Sequence, residues 1–509
     1  MKFSPQDPPA GTVRDWLDHR ARTAPDTVSH LFPGTVPALT WHELREEAQD
    51  IAARLTGLGI PKGASVALML PNGRAAITCL FGVLSGGFRT TVINLAAGAE
   101  AIGYALSHSE ATHVLVGNDQ EELLAEARAA HNVPAAAIAV GDRGVHWPEG
   151  AVGKPLHDLA AEDDALLMYT SGTTGRPKGV MHSHASLLAG GWTTAVAHEL
   201  TEADRALCVL PICHINGLCV TVLGPLVSGG SVAVCPRFSA TAFWAQCAEA
   251  EVTWFSVVPT IVSHLLHGEA EPDAATRERI RFGRSASSAL APEMHRAFEA
   301  RFGISLVETM GLTETAAQIL SNPLAESERK VGSPGRAFGD EVAILSADLS
   351  PLPPETEGEI AVRGPNVMRG YLKNEDATRE AFTPDGWLRT GDLGRMDADG
   401  FVFVTGRLKE LIIKGGENIA PREVDEALYA HPDVIEAAAF ARVCKTFGER
   451  VEAAVTLRVG SEASEADLLA LCHARLGKFK SPDAIHFLPE LPKGPSGKIQ
   501  RRLLVDLAR

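Results

Sequence analysis

The sequence predicts an α/β protein with a large N-terminal domain of layered α/β subdomains plus a small β-rich subdomain, followed by a small α+β C-terminal domain. Three observations carry this. The chain has 509 residues, more than one hydrophobic core usually supports, so at least two domains are expected. Short runs rich in Val, Leu and Thr alternate with helix-like stretches up to about residue 330, as buried strands alternate with the helices that cover them. Beyond that point the runs are joined by Gly and Asp turns, and the α/β style returns after residue 407.

In chain order, the strands of the first part are "ASVALML", "TTVINL", "THVLVG", "ALLMYT", "ALCVLP" and "SVAVCP", with "TWHELREEAQDIAARLTGLG" as a representative helix. The β-rich part follows in "GEIAVRG", "GWLRTGDLG" and "GFVFVTGR", with "DADG" at 397–400 as a turn. After "TGRLKELIIKGGENIAPREVDEAL" a helix is expected at about 421–430 and a strand over "ERVEAAVTLRV". The domain boundary is placed at 406–410, giving domains 1–406 and 407–509.

Composition narrows the function. The chain is 45% hydrophobic and 22% charged, which suits packed cores. Its net charge of −16 disfavours general attraction to nucleic acid or an acidic membrane, so an anionic ligand must be held by specific groups. Residues 407–509 are the least repulsive part, with 16 Lys+Arg against 15 Asp+Glu. Eight cysteines show neither CxxC pairs nor disulfide-dense spacing, so reduced thiols in the cytoplasm are expected. The apolar runs at 75–83 and 218–227 are too short to span a membrane, and no export signal is expected.

"YTSGTTGRPKGV" at 169–180 concentrates hydroxyls, glycines, Arg176 and Lys178 directly after an apolar strand. Glycines admit close backbone approach, while hydroxyls, amides and cations suit a polyphosphate. It departs from GxxxxGK[ST], since Gly179 stands where a magnesium-binding hydroxyl would be.

This loop resembles the signature of the AMP-forming acyl-CoA synthetases. The resemblance continues in order through "LPICHINGL", "ETMGLTET", "KVGSPGR", "GWLRTGDLG", "GRLKELIIKGGENIAPREV" and "LPKGPSGKIQRRLL". It implies ATP, Mg²⁺ and coenzyme A as cofactors, with an acyl-adenylate between carboxylate and thioester. Thr170, Ser171, Gly172, Thr173, Thr174, Gly175 and Lys178 would meet phosphates, and Glu314 would bind magnesium beside the phosphate contact Thr313. Ser288, Glu308, Thr309, Met310 and Gly311 would surround the base, Met310 standing where the family usually has a stacking tyrosine. Asp392 would hold the ribose with Arg407 as companion, and Lys498 would serve adenylation.

The resemblance also gives the small domain mobility about Lys409. It makes Gly415 and Gly416 the pantetheine-channel loop and brings Lys478 and Lys480 to CoA phosphates. His214 would line the acyl pocket and thioester channel. "RFSATAFW", "VTWFSVVPT", "RSASSALAP" and "LSNPL" look most like the oxalyl-CoA synthetase branch, which implies a short polar or doubly anionic acid such as oxalate, malonate or sulfoacetate. His214, Arg284, Ser285, Ser287 and Ser288 would then lie near the acyl end, with Trp254 and Phe255 limiting depth. The alternatives are transfer to a carrier protein, a longer acyl or aromatic acid, and a nucleotide-binding regulator without catalysis. A monomer or homodimer is expected, with no nucleic-acid partner.

Overall fold

A computed structural model of the chain describes residues 3–141, 144–170, 177–494 and 498–507. Two large mixed sheets dominate. The eight-stranded sheet has five parallel strands in the order Asp164–Thr170, Arg89–Val92, Ser65–Met69, His113–Gly117 and Ala136–Gly141. The nine-stranded sheet has Leu306–Gly311, Phe282–Ser285, Trp254–Val257, Arg205–Cys208, Ser231–Val234 and Val28–Phe32 in parallel. Both sheets finish in antiparallel edge strands.

The helices between the sheets are apolar because both faces are covered. Helix Arg74–Gly86 and helix His184–Ala197 are buried almost throughout. Their side chains join Leu68, Leu115 and Leu166 of one sheet to Ala206, Val232 and Trp254 of the other in one core. Helix Trp41–Gly57 is started by a capping box, Thr40 accepting from the Glu43 N–H while Glu43 accepts from the Thr40 N–H. Gly190 lets the central helix approach closely, since a Cβ there would stand 2.9 Å from the Ala316 Cβ.

The expected β-rich part is a four-stranded antiparallel sheet of Glu341–Leu345, Gly358–Arg363, Leu388–Met396 and Val402–Arg407. The C-terminal residues build their own five-stranded sheet, all from residues 412–487, around a core that includes Ile412, Val424, Val451 and Leu468. Helix Pro421–Tyr429 and strand Gly448–Leu457 lie where the sequence predicts them. Tyr429 packs both on this core and on the core beneath the nine-stranded sheet. The Ser263 hydroxyl donates to the Ile435 carbonyl at 2.6 Å, and Arg475 pairs with Glu293 at 3.1 Å, across the same seam.

Gly335 joins the nine-stranded and four-stranded sheets, its carbonyl accepting from the Val402 N–H. Its φ is +97° and a Cβ would fall 2.0 Å from the Ser321 backbone. Gly335→Ala is therefore expected to cost about 3 kcal/mol or more in a denaturant melt. Gly386→Ala, at φ +84° with nothing within 4 Å of the new Cβ, carries only the left-handed backbone cost of about 1–2 kcal/mol. Equal losses in the two variants would contradict this account of the joint.

Candidate active site

The phosphate-type loop connects two paired strands, Asp164–Thr170 and Lys178–Ser183, with Thr170 opposite Lys178. The expected contacts Ser171, Gly172, Thr173, Thr174 and Gly175 lie outside the described residues. Lys178 emerges where the strand begins, its Nζ 4.5 Å from the Tyr371 ring centroid. Further along the same strand, buried His182 presents Nε2 to the Thr313 carbonyl at 2.7 Å and Nδ1 to the Ser186 hydroxyl at 3.1 Å. A carbonyl only accepts, so Nε2 carries the proton. Burial pushes the His182 pKa down to about 4 and keeps the ring neutral.

Glu314 lies on the one-turn helix Thr313–Thr315 and is fixed from two directions. Its carbonyl accepts from the Met368 N–H at 2.7 Å, and its Oε1 accepts from the Tyr371 hydroxyl at 2.9 Å. Oε2 has no hydrogen-bond partner among the described residues.

A cavity of about 230 Å³ opens between the large part and the C-terminal residues. Ser287, Ser288, Glu308, Thr309, Met310 and Gly311 line one side of it. Asp392, Arg407 and Lys498 line the other, so nine of the predicted site residues meet here. The Thr309 Oγ1 and the Glu308 Oε2 are buried without a hydrogen-bond partner among the described residues. Burial raises the Glu308 pKa above the ordinary carboxylate value.

Asp392 and Arg407 are cross-strand neighbours, and the guanidinium donates to the carboxylate at 2.7 and 3.4 Å. The Lys498 side chain is open to the cavity, yet the surrounding walls strip water from its ammonium and lower its pKa. Arg407 adds to that fall, while Glu410 and Asp392 oppose it. The Lys498 carbonyl accepts from the Gly494 N–H at 2.7 Å. Arg501 then locks the segment to the domain, donating to Asp425 at 3.1 Å and to the Ala439 carbonyl at 2.8 Å.

The remaining candidates lie elsewhere. Arg284 and Ser285 are buried on strand Phe282–Ser285 and do not line the cavity. The Arg284 Nη1 donates to Asn216 Oδ1 at 2.8 Å and Ser256 Oγ at 2.9 Å, and its Nε to Gln318 Oε1 at 3.3 Å. All three acceptors are neutral, and burial pulls the guanidinium pKa down to about 9. Asn216 begins a π-helix, Asn216–Leu223, and its Nδ2 reaches Ser287 Oγ at 3.4 Å. Ser287 holds φ +73°, a strained value for a non-glycine residue at a site wall. His214 is half-buried in the turn before that π-helix, outside the cavity.

Trp254 stacks on His198 and Phe282, and Phe255 packs on Phe243 and Trp244, so both are core residues. Gly415 and Gly416 form the exposed turn of hairpin Ile412–Lys414/Glu417–Ile419, with φ of +61° and +90°. Lys480 pairs with Glu423 at 2.6 Å. None of these three lines the cavity. Sequence reasoning missed Tyr371, His182, Glu410 and Asp425. The first two act across the fold, and only the "RLKE" and "REVDE" runs marked the others.

Residues 17–372 match the family described as AMP-binding enzyme, and residues 423–498 match the AMP-binding enzyme C-terminal domain. The chain belongs to the AMP-binding enzyme family. It is 45% identical over 493 residues to the sulfoacetate–CoA ligase of Cupriavidus necator, covering 96% of each chain. It is 35% identical over 510 residues to the oxalate–CoA ligase of Arabidopsis thaliana, covering 97% of this chain and 98% of the relative. Among solved structures, ATP-bound MatB from Rhodopseudomonas palustris superposes with a TM-score of 0.88 at 29% identity, covering 98% of this chain and 100% of that one. The Bacillus subtilis o-succinylbenzoate CoA synthetase MenE, in complex with ATP and magnesium ion, gives 0.83 at 29% identity, covering 96% of this chain and 98% of that one.

This AMP-binding enzyme is an AMP-forming acid–thiol ligase near the oxalate branch, using ATP, Mg²⁺ and coenzyme A. The donor set fits magnesium. Among the described residues there is no cluster of three or more His, Cys, Asp or Glu to form an all-protein cage, whereas Glu314 offers one open carboxylate oxygen near Lys178. Mg²⁺ suits one carboxylate plus substrate phosphates and water, and it supplies charge neutralisation to the triphosphate when bound. No helix among the described residues is long and apolar enough to cross a membrane.

The lowered pKa of Lys498 sets a pH dependence. The amine loses its proton as pH rises through a value below the ordinary 10.5, so a reaction that needs its cation falls off on the alkaline side below that value. The residual activity of Lys498→Arg should lack this alkaline limb, because a guanidinium stays charged. A limb at the same pH in both enzymes would contradict the assignment.

Proposed function

We propose that this ligase activates an acid of two to four carbons carrying a second negative charge, in the class of oxalate, malonate and sulfoacetate. The observation that carries the proposal is Arg284, a buried guanidinium whose hydrogen-bond acceptors Asn216, Ser256 and Gln318 are all neutral. An unpaired charge held away from water is costly, and the distal anionic group of such an acid supplies the missing partner. Ser285 adds a buried hydroxyl without a partner among the described residues, and His214 and Ser287 flank the Asn216 end of the network. The relatives named for sulfoacetate and oxalate, alike along nearly the whole chain, support the same acid class.

The chemistry divides in two. A carboxylate oxygen of the acid attacks the α-phosphorus of ATP as the bond to pyrophosphate breaks, giving acyl-AMP. The sulfur of CoA then attacks the acyl carbon, the bond to AMP breaks, and the thiol proton is released. In the first step Lys498 steadies the charge that moves between carboxylate and phosphate, while Asp392, with Arg407 behind it, accepts from the ribose hydroxyls. Ser288, Glu308, Thr309, Met310 and Gly311 hold the base, the Met310 thioether packing on its ring. Thr170, Lys178 and Thr313 take the phosphates.

For the second step, residues 407–509 turn against 1–406 about Lys409, which lies in an exposed turn between strands Val402–Arg407 and Ile412–Lys414. That motion brings Gly415, Gly416 and Lys480 to CoA. All eight cysteines are free among the described residues, which supports a reducing cytoplasmic setting, and the enzyme works as a monomer or homodimer.

Steady-state rates on a panel of acids test the proposal. The expected order places a doubly anionic short acid first in kcat/KM. Arg284→Met should lower that value by about 100-fold, with the loss for acetate below about tenfold. A preference for octanoate or a cinnamate, or equal losses on both acids, would refute the acid assignment and leave the ligase class standing.

A further inference from the structure

Tyr371 belongs to none of the motifs that point to the ligase, yet it touches two of their charged residues. Its hydroxyl donates to Glu314 Oε1 at 2.9 Å, and its ring lies under the Lys178 ammonium at 4.5 Å. The phenol thus stands between the cation at the start of the phosphate-type strand and the carboxylate on the one-turn helix Thr313–Thr315. Its backbone is rigid. Tyr371 pairs with Val180 in antiparallel register, Arg369 N–H donates to the Met181 carbonyl at 3.0 Å, and Leu372 N–H donates to the Gly179 carbonyl at 2.8 Å. The Tyr371 N–H is itself satisfied by Thr378 Oγ1 at 2.9 Å, from the short helix Glu375–Ala381.

We propose that Tyr371 is a positioning residue that sets Glu314 and Lys178 at the spacing a magnesium–triphosphate requires. This rests on Glu314 as the magnesium ligand and Lys178 as a phosphate contact. The hydroxyl occupies Oε1 and so orients Oε2, the oxygen without a hydrogen-bond partner among the described residues, toward the ligand side. A hydrogen-bonded carboxylate loses less rotational freedom when it takes a metal ion, and losing such a support typically weakens metal binding by about tenfold or more. The ring does a separate task, holding the ammonium by its π face so that Lys178 is not drawn onto Glu314 as a closed ion pair.

The test is calorimetric titration of ATP into the full-length protein, with Mg²⁺ varied and with the metal chelated, supplemented by kcat at saturating Mg²⁺. Tyr371→Phe keeps the ring and removes the hydroxyl. It should raise the Mg²⁺ concentration for half-maximal ATP affinity by about tenfold, leave metal-free ATP affinity unchanged, and keep kcat within about twofold at saturating metal. Tyr371→Leu also removes the ring, and should weaken metal-free ATP binding by about threefold in addition.

Glu314→Gln is the control for the underlying assignment and should abolish the Mg²⁺ dependence of ATP affinity. If Glu314→Gln retains that dependence, Glu314 is not the ligand and both ideas fall together. If Glu314→Gln behaves as expected but Tyr371→Phe leaves the Mg²⁺ midpoint unmoved, or weakens ATP equally with and without metal, the role of Tyr371 alone is overturned. Melting temperatures within a few degrees of the parent show that each variant is folded.

Discussion

The site depends on the antiparallel return of the chain at Lys178–Ser183. A strand that turned back elsewhere would leave the phosphate-type loop without a base. Here it pairs with Asp164–Thr170 on one side and with Gly370–Tyr371 on the other, and buried His182 reaches out to the Thr313 carbonyl. One six-residue strand therefore links the loop, the one-turn helix bearing Glu314 and the segment bearing Tyr371. Backbone ladders give that joint its rigidity, so groups distant in sequence keep fixed separations, as phosphoryl transfer requires of residues that act mainly by placement.

Across the cavity the problem is electrostatic. The Arg407 charge disfavours the Lys498 cation, and Asp392 neutralises Arg407 directly at 2.7 Å. Lys498 is left with incomplete compensation from Glu410 and Asp392. A site held in that state attracts an anion. Arg284 repeats the theme deeper in the protein, where only neutral amides and a hydroxyl accept from it. The two cations differ in setting, Lys498 on the cavity wall and Arg284 buried outside it.

Much of the candidate site was legible in the sequence because its residues occupy short contiguous runs. "GLTET", "TGDLG", "TGR" and "PSGKI" supplied Glu314, Asp392, Arg407 and Lys498, and "ETMG" supplied the wall at Met310. The alternation of apolar runs with helices likewise located the parallel strands, since strands buried on both faces leave uninterrupted Val, Leu and Ile signals. Partnerships made through space were not legible. Nothing near "GYLKN" indicates that its tyrosine meets residues 178 and 314, and "MHSH" does not announce a histidine that braces Thr313. Orientation was equally hidden. "VTWFSV" is a central strand whose two aromatic residues face opposite core layers, so Trp254 and Phe255 pack in the interior where the sequence expected a pocket floor. "HINGLCVTVL" winds as a π-helix, a choice set by packing against the sheets.

The central claim is that adenylation is completed by a lysine carried on the C-terminal residues, in a cavity walled by both parts of the chain. The most direct measurement compares Lys498→Ala with the parent enzyme in two half-reactions, acid-dependent exchange of pyrophosphate into ATP without CoA and thioester formation from supplied acyl-adenylate. Exchange should fall by about 100-fold or more while thioester formation stays within a few-fold of the parent. Equal losses in the two half-reactions, or exchange that survives the substitution, would contradict it.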